Sequence, residues 1–189
     1  MVRPLFAASL AAALLLPHST LHSQAGKAAA TPAAAIVVLD TSKGVIEIET
    51  LPGDAPKSVA HFVELAKKNF YRGQRFHWVV PGLVQTGDPL SRDLTKRDEW
   101  GTGGSGLRNA PKPIGVAEIS SKRKFDRGIV GLAYRPDRKP ESADSQFFIL
   151  TGPNPALNGK YAPIGKVIKG IEVVDKIQLM DVIKNVTVK

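Results

Sequence analysis

The chain reads as a mainly β protein, an antiparallel barrel or sandwich with few helices, and three observations predict this. The compact β-branched run Ile36-Val37-Val38-Leu39 leads through the turn residues Thr41-Ser42-Lys43-Gly44 into an alternating segment. There Ile46 and Ile48 fall on one face and Glu47 and Glu49 on the other. That is the pattern of a β-hairpin with one buried side. Short apolar segments then recur at residues 75–80, 83–85, 116–119, 128–133, 146–151, 164–168 and 183–188, separated by loops rich in Gly, Pro and Asp. Many short strands between turn signals point to a barrel or a sandwich, and the pattern alone does not choose between them. Finally, helical spacing is confined to one long segment and one short one.

The long helix begins near Pro56, whose missing N–H costs nothing in a first turn, with Asp54 just ahead as a negative charge suited to the helix dipole. Val59, Phe62, Val63, Ala66 and Phe70 form one apolar stripe. Lys67 and Lys68 suit the last turn, and Asn69 suits a C-terminal stop. Residues 171–178 predict the second, shorter helix.

Ahead of the first strand the chain changes character. Arg3, an apolar run over residues 5–16 broken only by Ser9, and the small-residue exit Ser23-Gln24-Ala25 follow the order of a secretory signal peptide. The apolar run falls short of the roughly 20 residues that span a bilayer, so no stable membrane insertion is expected once the leader is removed. The expected organisation is a signal peptide at 1–25, an Ala-rich tether at 26–34 and one domain at 35–189. The expected location is exported, periplasmic or secreted. The chain has no cysteine, which excludes a lipid-modified cysteine and a disulfide framework.

Net charge is +9, but Lys and Arg are spread along the chain. The densest cluster, Lys122-Arg123-Lys124, is short, and no aromatics interleave with it to stack bases. No nucleic-acid partner is expected. Four histidines make no metal spacing, and residues 101–106, though glycine-rich, are not followed by the Lys-Ser/Thr pair of a phosphate loop. Neither metal nor cofactor is expected.

Six motifs occur in order. They are Ala55-Pro56-Lys57-Ser58-Val59-Ala60-His61-Phe62; residues 76–88, reading FHWVVPGLVQTGD; Gly101-Thr102-Gly103-Gly104; Gly128-Ile129-Val130-Gly131-Leu132-Ala133; Ser145-Gln146-Phe147-Phe148-Ile149; and Leu157-Asn158-Gly159-Lys160-Tyr161 with Ile164-Gly165-Lys166-Val167. Together they resemble the cyclophilin family of peptidyl-prolyl isomerases, over essentially all of residues 36–188. One such motif is weak; six in order at compatible spacings are specific. The resemblance implies a closed eight-stranded antiparallel barrel capped by two helices, with a substrate groove on its outside.

It also implies a site. Leu83, Val84, Phe148 and Leu157 would line a proline pocket, and Gln85 would contact the substrate backbone. Ala133 and Tyr134 stand where the family has an Ala-Asn pair that hydrogen-bonds the peptide. Gln146 would flank the groove, and Tyr161 would lie on its rim, where many members have histidine. Alternation along 147–149 requires one of Phe147 and Phe148 to face the core, and the resemblance assigns Phe148 to the groove. The catalytic set would be Trp78, His77 and Gln85, with His77 either a structural histidine or a ligand contact.

Trp78 departs from the pattern, which has an arginine there. Indole offers one N–H donor where guanidinium offers five in a rigid fork. By alternation Arg75 falls on the face opposite Trp78, while Arg72, Arg135 and Arg138 lie in loops able to reach the groove. Two functional readings follow. One is a peptidyl-prolyl isomerase assisting the folding of proline-containing exported proteins, with activity reduced at Trp78. The other is a cyclophilin-fold peptide-binding chaperone or adaptor without significant catalysis. Both take proline-containing segments of unfolded or flexible proteins as partners.

Overall fold

A computed structural model describes residues 33–189. The expected leader at 1–25 and all but the last two residues of the expected tether at 26–34 lie outside the described residues.

Strands β1 (Ile36–Thr41) and β2 (Gly44–Thr50) form the expected hairpin, with Val37 opposite Ile48 and Leu39 opposite Ile46. Those four side chains, with Thr41 and Thr50, are buried, as the alternation requires. The Thr41 hydroxyl donates to the Gly44 carbonyl at 2.7 Å and accepts the Lys43 N–H at 3.1 Å, which closes the turn.

Helix α1 (Pro56–Lys67) follows. Val59, Phe62 and Ala66 are buried, Val63 and Phe70 pack partly buried against the same core, and Leu65 joins them. Asn69 ends the helix in the left-handed region at φ 58°, the stop its side chain favours. The N-terminus differs from expectation. Asp54 is drawn into an ion pair with Arg123 and does not cap the helix. Glu118 does so instead, its two oxygens accepting the Lys57 and Ser58 N–H groups at 2.9 and 2.7 Å. This also corrects residues 116–119, which form no strand. They run as irregular backbone that carries a carboxylate to the positive end of α1.

The other strands are β3 (Trp78–Val80), β4 (Leu83–Thr86), β5 (Ile129–Leu132), β6 (Phe147–Leu150), β7 (Ala162–Lys169) and β8 (Ile183–Val188). All pairings are antiparallel, in the order β3-β4-β6-β5-β7-β2-β1-β8. A short helix α2 (Ile171–Val174) packs against β2, and α1 packs against β7 and β8. The sheet is open as a ladder, not the closed barrel expected, because β3 and β8 do not pair. Residues 73–76, just ahead of β3, meet residues 181–183 at the start of β8 instead. Gly73 N–H donates to the Ile183 carbonyl at 2.7 Å, Ile183 N–H to Gln74 at 2.9 Å, and Phe76 N–H to Asp181 at 2.9 Å. Only one bridge, Arg75 to Val182, is regular. Met180, left-handed at φ 75°, turns the chain away before a strand pair can extend.

The sheet is buried on both faces where β4, β6 and β5 meet. Inside lies the main core, which includes Val84, Val130, Leu132, Phe147 and Ile149. Outside lies a smaller cluster of Phe125, Ile129, Ala133, Phe148 and Leu150, against which Leu83, Leu157 and Tyr161 pack. The second cluster places the site.

Candidate active site

Phe148 is the floor. Its Cα partner on β5 is Gly131, and a Cβ on that glycine would stand 2.3 Å from the Phe148 Cζ. The ring therefore lies flat over bare backbone, which only glycine permits. Phe125 and Tyr161 complete an aromatic wall, with ring centroids 6.0 and 5.3 Å from Phe148, the latter edge-on. Tyr134 stacks outward of Tyr161 at 4.8 Å. Burial pushes the Tyr161 phenol pKa up, with Tyr134 beside it adding to the effect.

Next to this apolar patch opens a cavity of about 660 Å³. His77, Trp78, Gln85, Ala133, Tyr134, Gln146 and Tyr161 all line it. Residues from β3, β4 and the chain before β6 therefore converge. Trp78 is opposite Gln85 across β3–β4, and Gln85 is opposite Phe148 across β4–β6. The Gln85 amide donates to the Gln146 side-chain carbonyl at 3.0 Å. Gln146 in turn donates to the carbonyls of Gly101 and Gly103 at 3.0 and 2.9 Å, so both amides are held in place.

Two buried carboxylates fix the loops around them. Asp88 is fully buried and accepts the N–H groups of Leu90, at 2.8 Å, and of Gly101 and Gly103. A Cβ on Gly103 would meet the Asp88 carboxylate at 2.2 Å, so the glycine is what allows that approach. Asp144 accepts from the Ser105 N–H at 2.7 Å, the Ser105 hydroxyl at 2.6 Å and the Lys112 N–H at 2.7 Å, and it pairs with His61 Nε2 at 2.9 Å. Burial alone would push its pKa up. The hydrogen bonds from His61, Lys112 and Ser105 outweigh that and hold it below the ordinary carboxylate value.

His77 sits against the cavity with both ring nitrogens buried and no partner in hydrogen-bond geometry for either. Burial pushes its pKa below the ordinary imidazole value, against smaller opposing effects from Asp88, the Arg75 backbone and Gln146. Trp78, by contrast, is 57% exposed and presents its indole to solvent.

One expected pocket residue is misplaced. Val84 points into the main core at 2% exposure, because the pleat of β4 sends Leu83 and Gln85 outward and Val84 and Thr86 inward. Leu83, Leu157 and Phe148 do share the outer cluster. Arg75 is turned away, its guanidinium donating to the Ser91 and Arg92 carbonyls at 2.8 and 3.0 Å. Arg135 and Arg138 line the cavity, whereas Arg72 does not. Phe125 and Trp100 belong to the site and were missed. A lone aromatic set among charges, as in Lys124-Phe125-Asp126, is the signal that could have found the first. Among the described residues, no three His, Asp or Glu side chains stand close enough to share a cation.

Comparison with known proteins agrees with the fold. The model of the family described as cyclophilin type peptidyl-prolyl cis-trans isomerase matches residues 36–189. A probable peptidyl-prolyl cis-trans isomerase of Brucella abortus is 40% identical over 157 residues, covering 81% of this chain and 76% of the relative. A peptidyl-prolyl cis-trans isomerase of Helicobacter pylori is 35% identical over 155 residues, covering 80% and 85%. The crystal structure of a cyclophilin type isomerase from Cryptosporidium parvum superposes with a TM-score of 0.69 at 27% identity, covering 83% of this chain and 98% of that one. The same protein solved in the presence of the dipeptide Ala-Pro gives a TM-score of 0.68 at 27% identity, covering 82% and 98%.

Proposed function

The chain belongs to the cyclophilin-type peptidyl-prolyl cis-trans isomerase family, and from that premise we propose that it isomerises X–Pro bonds in exported, incompletely folded proteins, with a rate limited by Trp78. The observation that carries the reading is that the aromatic cluster around Phe148 adjoins a cavity lined by Tyr161 and by the fixed amides of Gln85 and Gln146.

The barrier to rotation is roughly 18–20 kcal/mol and comes from amide resonance, so no covalent bond is made or broken. The protein must hold the twisted amide better than the planar one. The ring of a substrate proline would lie against the apolar cluster of Phe148, Phe125, Leu83 and Leu157, at the side where Tyr161 borders the cavity. Gln85 offers its amide to the peptide backbone beside it. Where the family pattern aims a guanidinium at the rotating bond, this chain offers the single N–H of Trp78. Losing a preorganised donor of that kind typically lowers a rate by ~10²–10³. The indole face still adds apolar contact for a proline ring.

A second reading, a chaperone or adaptor that binds proline segments without turning them over, is favoured by one observation. The residue at the arginine position is an exposed indole. Export rests on the order of charges and apolar residues over 1–25.

One measurement separates the readings. Cis-to-trans isomerisation of a short X–Pro peptide is followed with the domain from residue 35 and with its Trp78→Arg variant. The proposal expects measurable turnover that rises by about 10²-fold in the variant. Equal rates would remove Trp78 as the limit, and no turnover in either would leave only peptide binding. Export is tested by the N-terminal residue of the protein recovered outside the cytoplasm, expected near position 26.

A further inference from the structure

The cavity beside the aromatic pocket is not neutral. Arg135 and Arg138 both line it. The one carboxylate in its lining, Asp144, is 6% exposed and is already engaged by His61, Ser105 and Lys112. It is therefore not free to answer a positive ligand. From this we infer that the groove selects segments carrying an acidic residue within one or two positions of the proline. The inference rests on the isomerase reading for where the proline sits and adds the charge of its neighbour.

The geometry sets the distance. Tyr134 stacks on Tyr161 at 4.8 Å, and Tyr161 meets Phe148 edge-on at 5.3 Å. Arg135 is the next residue after Tyr134, so the cationic stretch begins where the aromatic pocket ends. An extended peptide advances about 3.3–3.6 Å per residue, which brings the side chain one or two positions from the proline to the arginines. Guanidinium binds carboxylate in a fork, a geometry an ammonium lacks.

Asp137 now occupies that fork. It accepts from Arg135 Nε and Nη2, both at 3.0 Å, and lies 3.8 Å from Arg138 Nε. All three side chains are about half exposed, at 46%, 55% and 64% for Arg135, Asp137 and Arg138. An exposed pair of this kind contributes little, so a substrate carboxylate can take its place. One aspartate also cannot satisfy two arginines, and the net charge of +9 draws anionic segments towards the surface.

The test uses three peptides that share an X–Pro core and differ in one flanking residue, Glu, Gln or Lys. Both equilibrium binding and isomerisation rate are measured. The Glu peptide should bind about two- to fivefold tighter than the Gln peptide, and the Lys peptide more weakly than either. The ratio should fall towards one in 0.5 M salt, where charges are screened. Arg135→Gln with Arg138→Gln should abolish the Glu-to-Gln ratio, Arg135→Glu with Arg138→Glu should favour the Lys peptide, and Asp137→Asn should raise the ratio. Equal affinity for Glu and Gln peptides in the wild type, or a preference that survives the double Gln variant, overturns the inference. If Glu is preferred in binding and no peptide is isomerised, the charge selectivity stands and the isomerase reading fails. If no peptide binds, both fall.

Discussion

Phe147 and Phe148 are adjacent in sequence and almost equally buried, yet they belong to different regions of the molecule. Phe147 closes an aromatic knot inside the sheet, with ring centroids 5.1 Å from Phe62 and 5.3 Å from Tyr71, both edge-on. It belongs to the inner core and is fully buried. Phe148 lies on the other face of the same strand, over Gly131, with Phe125 and Tyr161 beside it and the cavity within reach. The inner cluster is filled, while the outer one is left unfinished on one side. Burial alone therefore does not separate a structural aromatic from a ligand-binding one. What separates them is whether the cluster still has a side to offer.

The largest effect expected from this contrast is at Phe147. Phe147→Ala empties the centre of the inner knot and should lower stability by about 3–5 kcal/mol, read from the denaturant midpoint at unchanged slope. Gly131→Ala probes the outer cluster from below. Its methyl would press on the Phe148 ring, an overpacking that costs about 1–3 kcal/mol. Here the loss should show first as weaker binding of an X–Pro peptide, because the ring can tilt into the open cavity. If Gly131→Ala shifted the midpoint as far as Phe147→Ala and left peptide affinity unchanged, the two regions would not differ in the way described.

The contrast also explains what was legible in the sequence. The opening hairpin and the α1 stripe could be read because their partners are local and their periods are clean. The choice of Phe148 over Phe147 needed only strand alternation and the resemblance. Val84 was lost by treating Leu83 and Val84 as one apolar pair, when a pleated strand must send them to opposite faces. Residues 116–119 were lost for a different reason. Their composition suits a strand, but Glu118 works about 60 positions away in sequence, at the start of α1. The roles of Asp88 and Asp144 were equally hidden, since the donors that surround them come largely from loops distant in the chain. The failure of β3 and β8 to pair depends on the backbone of Met180, which no residue type announces.

A smaller effect is expected where a loop is tied to the scaffold. Glu118→Gln removes the charge that faces two N–H groups at the start of α1. It should cost about 1 kcal/mol, with little change in peptide affinity because the start of α1, at Lys57 and Ser58, contributes nothing to the cavity lining. A double-mutant comparison with Asp54→Asn checks independence. Asp54 pairs with Arg123 and not with the helix, so the two losses should add.

The smallest effect is one of pH, and it again distinguishes the two regions. His77 belongs to the groove side, and burial holds its folded pKa below the ordinary value. Above about 6.5, the unfolded value, both states are neutral and the buried ring costs nothing through protonation. As pH falls through that value, the unfolded chain takes up a proton that the folded chain refuses. Stability then declines until the folded pKa is reached. Asp144 acts in a lower window. Its folded pKa is also depressed, so its contribution is present above about 3.9 and is lost as pH falls from there through the folded value. Denaturant midpoints taken between pH 7.5 and 5 should therefore fall in the wild type and flatten in His77→Phe, while the fall below pH 4 persists in both. A wild-type midpoint that stayed level from pH 7.5 to 5 would mean that the buried ring finds a proton acceptor or water when it charges. The side of the groove at His77 would then be wetter than the inner core.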